Sequence, residues 1–167
     1  MLVSNYKTGE VLCMVSGPSI DPAVDGDVPD GAYINRCING SFTPGSIFKV
    51  LTAAAAIENI PDIGTRSFQC GGTNILGGQK IVCEGVHGTI NFQNGLAYSC
   101  NNVFGEIAAE LGGKTLQKYA EKAGLTGSLS CDGYHTAAGR VDLRGAGDSD
   151  VAWAGIGQYT DQVSAYA

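Results

Sequence analysis

Ser46 and Lys49 are the residues whose types and spacing could do chemistry. They lie three apart in Thr43-Pro44-Gly45-Ser46-Ile47-Phe48-Lys49, so a helix starting here projects both from one face of its first turn. A serine hydroxyl is a weak nucleophile until a base takes its proton. An ordinary lysine is protonated at neutral pH and cannot be that base. A lysine buried among apolar side chains, beside other positive potential, has a lowered pKa and can accept the proton. The positive end of the helix dipole favours the resulting alkoxide. The pair is therefore a candidate acyl-transfer engine that needs no histidine. Ser-x-x-Lys is also a common chance pattern, with the serine as a helix cap and the lysine in water.

Ser99-Cys100-Asn101 is the second candidate. A serine and an asparagine two apart, in a break between helices, can face one cleft. The hydroxyl can relay a proton and the amide can hold a substrate amide; a plain helix cap is the alternative. Cys70, Cys83 and His87 could ligate zinc, but their spacing is irregular and no fourth ligand is evident, so no metal site is expected. Cys100 reads as a small buried apolar residue. His87 and His135 have no recognisable acid or serine partner and read as structural. Gly112-Gly113-Lys114-Thr115 hints at a phosphate loop, but Ala108 stands where the leading glycine belongs and a helix, not a strand, precedes it.

The elements that must position these residues follow from periodicity. Thr43 is expected to cap the central helix and Pro44 to open it. Val50, Ala53, Ala54 and Ile57 recur at helical spacing, and Pro61 closes the segment. Residues 1–6 and 10–16 flank Lys7-Thr8-Gly9 as a hairpin. Residues 17–43, rich in Gly, Pro, Asp and Asn, form a long surface connection. Residues 62–88 hold two β-prone pieces, 66–70 and 80–83, read as another hairpin. A short helix is expected over 89–98, then helices over 102–111 and 115–123, a loop-rich stretch over 125–147, a short helix over 148–156 and a last one from Thr160 to 167. Strands followed by a run of helices indicate an α+β or mainly α arrangement.

Composition narrows the class. The 167 residues can bury one sizeable core, so one domain is expected: hairpin 1–16, connection 17–43, mainly helical lobe 44–167. A net charge of −6 argues against a nucleic-acid partner. No apolar run is long enough to span a bilayer, and residues 1–7 lack the features of a signal peptide. Cys13, Cys37, Cys70, Cys83, Cys100 and Cys131 are scattered, with no C-x-x-C pair.

Pro44-Gly45-Ser46-x-Phe48-Lys49, then Ser99-x-Asn101 about fifty residues on with Asn102-x-Phe104 after it, closely resembles the penicillin-binding protein transpeptidases. Lys7-Thr8-Gly9-Glu10-Val11-Leu12, Asn35-Arg36, His87-Gly88, Gly155-Ile156-Gly157-Gln158 and the weakly matching 160–167 fit the same pattern. The resemblance implies an α+β transpeptidase-like fold whose central sheet is incomplete here. It implies Ser46 as the nucleophile, Lys49 as its base, Ser99 as the proton shuttle and Asn101 as the residue that binds the acyl substrate's amide. One oxyanion-hole donor would be the Ser46 backbone N–H and the other would come from a third-motif strand. The implied substrate is the D-Ala-D-Ala end of a peptidoglycan stem peptide, β-lactams would mimic it, and no metal or cofactor is implied. The implied place is the extracytoplasmic face of the bacterial cell membrane, with any anchor outside this segment. In that compartment a Cys70–Cys83 disulfide would survive, so the pair is read either as a disulfide or as free thiols.

The family's third motif, Lys-Thr/Ser-Gly, belongs after Gly157-Gln158 and is not within the 167 residues. Lys7-Thr8-Gly9 has the letters, but in a hairpin turn before the serine. The chain therefore reads as a piece of a transpeptidase domain, expected to acylate poorly or not at all by itself. It is also expected to expose an apolar face and self-associate through it. The alternatives are a serine β-lactamase, which needs a deacylating base where only Glu106 offers itself and reads as surface, and a β-lactam sensor or inert scaffold of the same fold.

Overall fold

The computed structural model describes residues 1–23, 26–131 and 133–166. The first hairpin forms as expected, β1 (Leu2–Ser4) antiparallel to β2 (Val11–Met14) with Leu2 opposite Met14. The connection after it is not wholly irregular. It contains helix α1 (Arg36–Asn39), which Asn35 caps by accepting from the Cys37 N–H at 3.1 Å, and which buries Cys37 and Ile38.

Ser46 lies in a 3₁₀ turn, Gly45–Phe48, that runs directly into α2 (Lys49–Asn59). Thr43 does not cap this turn. Pro44 holds that position without a side-chain bond, and Thr43 Oγ1 instead accepts from Gln162 Nε2 at 3.1 Å. The buried face of α2 is Lys49, Thr52, Ala53, Ala55 and Ala56. Val50 and Ile57 are 64% and 63% exposed and Ala54 is exposed with them, so three of the four residues read at helical spacing mark an outer stripe and only Ala53 faces the core. With Ile47 that stripe borders an open apolar cavity of about 530 Å³, also lined by Phe42, Leu51, Leu125 and Val163.

Two hairpins are nested between α2 and the next helices. β3 (Ser67–Cys70) pairs with β6 (Gly88–Asn91), and β4 (Thr73–Leu76) pairs with β5 (Gln79–Val82) inside them, all antiparallel. The start of the helix expected over 89–98 is thus strand. Ile90 sits opposite Phe68 with both buried, which settles that register. Helix α3 (Phe92–Ala97) begins where the Asn91 side chain accepts from the Asn94 N–H at 2.8 Å. Then come α4 (Asn101–Leu111), α5 (Gly113–Lys122), a short ladder of β7 (Ser130–Cys131) with β8 (Tyr134–His135), and α6 (Asp148–Gly155).

The last expected helix, over 160–167, is absent from the described residues, and Ala167 lies outside them. Val163 exchanges both backbone hydrogen bonds with Phe42, at 2.8 and 2.9 Å, and Gln162 does the same with Arg140. Those bonds use the N–H and C=O groups a helix would need.

Helices α2, α4 and α6 meet through small residues. A Cβ at Gly155 would lie 2.1 Å from Ala108 Cβ, and Thr52 Oγ1 donates to the Gly155 carbonyl at 2.8 Å. Val103, Phe104 and Ile107 are fully buried around this crossing. Short two-stranded sheets flank the helices, an α+β arrangement with no continuous central sheet among the described residues.

Asp161 is fully buried with neither carboxyl oxygen hydrogen-bonded, and burial raises its pKa from 3.8 to about 7. The folded state therefore holds a proton that the unfolded chain releases at lower pH, and stability falls as pH rises between those two values. Asp161→Asn should flatten that fall, by up to a few kcal/mol, in urea unfolding at about pH 5 and about pH 8. An unchanged pH slope would show that the carboxyl is not the cause.

Candidate active site

The 3₁₀ turn and the start of α2 divide the Ser46–Lys49 pair. Ser46 faces solvent, whereas Lys49 has no exposed surface. Lys49 Nζ lies 3.2 Å from Ser46 Oγ, 2.9 Å from Ser99 Oγ, 2.6 Å from the Ser99 carbonyl oxygen and 2.6 Å from Asn101 Oδ1. The structure thus brings the other three expected site residues, Ser46, Ser99 and Asn101, onto the Lys49 amine. An ammonium has three hydrogens for these four oxygens. A neutral amine directs its lone pair at one hydroxyl and two N–H groups at other oxygens, the arrangement a base for Ser46 requires.

Burial is what pushes the Lys49 pKa below its ordinary 10.5. The neighbouring positive potential expected from the sequence is not the cause; Cys83, Cys100 and Glu84 push the other way.

Ser99 and Asn101 are positioned by a strained turn between α3 and α4. Ser99 has φ +53°, a conformation costly for a residue with a Cβ and frequent at functional sites. Ser99 N donates to the Leu96 carbonyl at 3.0 Å and Cys100 N to that of Gly95 at 2.8 Å. Asn101 opens α4, and its Nδ2 donates to the Val82 carbonyl at 2.8 Å, which orients Oδ1 toward Lys49.

Gly157 backs the turn that carries Ser46. Gly45 N donates to the Gly157 carbonyl at 2.9 Å, and a Cβ at Gly157, whose φ is +73°, would lie 2.0 Å from the Gly45 oxygen. The sequence shows this glycine only as part of a resembling stretch; the contact with Gly45 is tertiary and leaves no local signal.

Cys70 and Cys83 are not bridged; both thiols are free. Instead Cys70, Cys83, His87 and Cys100 converge, with their ligating atoms all within 4.8 Å of one another. Cys100, read from the sequence as an inert apolar residue, is the fourth side chain that the Cys70-Cys83-His87 set lacked. Glu106 is exposed on α4. Lys7-Thr8-Gly9 lies in the β1–β2 turn, and in Gly112-Gly113-Lys114-Thr115 the first glycine links α4 to α5 while the other three residues open α5.

Residues 1–167 match the penicillin binding protein transpeptidase domain over their whole length. Stage V sporulation protein D of Bacillus subtilis is 34% identical over 125 residues, 72% of this chain and 19% of that protein. Peptidoglycan D,D-transpeptidase PbpA of Mycolicibacterium smegmatis is 31% identical over 141 residues, 71% of this chain and 28% of that protein. The penicillin G acyl-enzyme of penicillin-binding protein A from M. tuberculosis superposes with a TM-score of 0.85 at 25% identity, over 98% of this chain and 42% of that one. The chain spans less than a third of the length of these curated relatives. Joined by one buried lysine, the Ser46-x-x-Lys49 and Ser99-x-Asn101 residues sit in a chain that belongs to the penicillin-binding protein transpeptidase family.

Proposed function

We propose that residues 1–167 carry the nucleophile and proton-transfer half of a serine D,D-transpeptidase site. The observation that carries this reading is the buried Lys49 amine within hydrogen-bond reach of Ser46, Ser99 and Asn101. Lys49 takes the Ser46 proton, and Oγ attacks the penultimate D-Ala carbonyl of a stem peptide. The tetrahedral adduct collapses with loss of the terminal D-Ala, whose amine receives a proton through Ser99. Asn101 holds the amide of the acyl portion. A second stem peptide's amine then attacks the ester, forming the cross-link and freeing Ser46. A β-lactam opens on Ser46 in the same way, but its amine remains tethered and blocks the second step.

The reaction belongs outside the cytoplasm, where peptidoglycan is assembled. No helix among the described residues is long and apolar enough to cross a membrane. No Lys-Thr/Ser-Gly follows Gly157 within the 167 residues. In the family that third motif provides carboxylate binding and the second oxyanion donor.

Turnover of benzylpenicillin tests this against the β-lactamase reading. One equivalent retained as a stable ester is the expected result. Continuous release of hydrolysed drug would assign the chain to the lactamases instead, and would require a deacylating base that exposed Glu106 does not offer.

A further inference from the structure

We propose that Cys70, Cys83, His87 and Cys100 form a tetrahedral zinc site that clamps the Ser99-Cys100-Asn101 turn to the nested hairpins. The four come from separate places: the end of β3, the residue after β5, the approach to β6 and the residue before α4. None of them takes part in the proposed acyl transfer.

Three of the six ligand-to-ligand distances match those of a coordination shell, and all six are within 4.8 Å. Ligands at about 2.3 Å for sulfur and about 2.0–2.1 Å for nitrogen around one tetrahedral ion stand about 3.8 Å apart for two sulfurs and about 3.6 Å for sulfur and nitrogen. Cys83 and Cys100 Sγ are 3.7 Å apart, and His87 Nδ1 is 3.4 Å from Cys70 Sγ and 3.6 Å from Cys83 Sγ. The sulfur separation is far beyond the roughly 2.05 Å of a disulfide. All three cysteines are buried, and the His87 ring is held in plane by stacking on Tyr98, with centroids 5.5 Å apart.

Backbone donors gather at one corner. The backbone N–H groups of Gly85, Asn101 and Asn102 point at Cys83 sulfur, the last two being first-turn donors of α4 that have no partner within the helix. A thiol that coordinates a divalent cation gives up its proton to do so. Cys100 lies between Ser99 and Asn101, so an ion held there fixes the turn whose strained Ser99 faces Lys49. This last consequence rests on the acyl-transfer reading; the metal site itself does not.

The test is metal content of the protein produced with zinc, kept reduced and desalted, together with the absorption spectrum after exchange to Co²⁺. About one zinc per chain and the visible bands of a tetrahedral thiolate cobalt site are expected. Cys83→Ser should lose both, whereas Cys37→Ser, at a buried cysteine elsewhere, should keep both. If Cys83→Ser fails to fold, the wild-type cobalt spectrum decides: thiolate-to-cobalt charge-transfer bands support the site. A wild-type protein that retains no zinc and gives no such spectrum overturns it, as does undiminished zinc in folded Cys83→Ser. Acylation is measured separately, so failure of the metal site and failure of the acyl-transfer reading are distinguishable.

Discussion

Lys49→Met should lower the rate of acylation by benzylpenicillin by about 10²–10⁴-fold, the range for removing a positioned general base. Methionine keeps most of the buried side-chain volume but cannot accept the Ser46 proton. It also leaves the Ser99 carbonyl and Asn101 Oδ1 without the donor that each meets at 2.6 Å. Lys49→Arg is the sharper comparison. It retains a cation, yet a guanidinium does not lose its proton in proteins, so it should be as inactive as methionine. The pH profile separates charge from basicity. Burial places the Lys49 pKa below the ordinary lysine value, so wild-type acylation should rise with pH up to that lowered pKa. The arginine variant should lack the rise. Wild-type acylation in Lys49→Met, measured by intact mass against time, would mean that the base is elsewhere.

Gly157→Ala should cost about 2–5 kcal/mol of stability and slow acylation as well. Two effects combine there. The φ of +73° is strained for alanine, and the new Cβ would lie 2.0 Å from the oxygen of Gly45, the residue before Ser46. Backbone cannot yield as a flexible side chain does, so the turn carrying Ser46 must move. Gly9→Ala isolates the first effect, since Gly9 has a φ of +74° but nothing within 4 Å of its built Cβ. It should lose about 1–2 kcal/mol and leave acylation unchanged. Urea unfolding and acylation rates on both variants check this. Equal acylation in the two would show that the Gly45–Gly157 contact does not position Ser46.

The parts of the fold legible in the sequence are those specified by local spacing. The first hairpin, α4, α5, α6 and the Ser46–Lys49 and Ser99–Asn101 pairs all follow from residues within a few positions of one another. What was missed depends on distant partners. Residues 88–91 are strand because β3 lies alongside them, not because of their own propensity. Residues 162 and 163 are extended because Arg140 and Phe42 take their backbone bonds. The stripe through Val50 and Ile57 has helical spacing whether it faces the core or solvent, so periodicity found the helix but not its inner face. Cys100 has no spacing relation to Cys70, Cys83 and His87; the pairing of β3 with β6, the β4–β5 hairpin inside it and the start of α4 bring the four together.

The position of the acyl group tests the role of Ser46 directly. The protein is incubated to completion with excess benzylpenicillin, digested and mapped by mass spectrometry, with Ser46→Ala alongside. One penicilloyl group on the peptide containing Ser46, absent from Ser46→Ala, is the predicted result. An unmodified Ser46 after exhaustive incubation, or an adduct that survives Ser46→Ala, would contradict it.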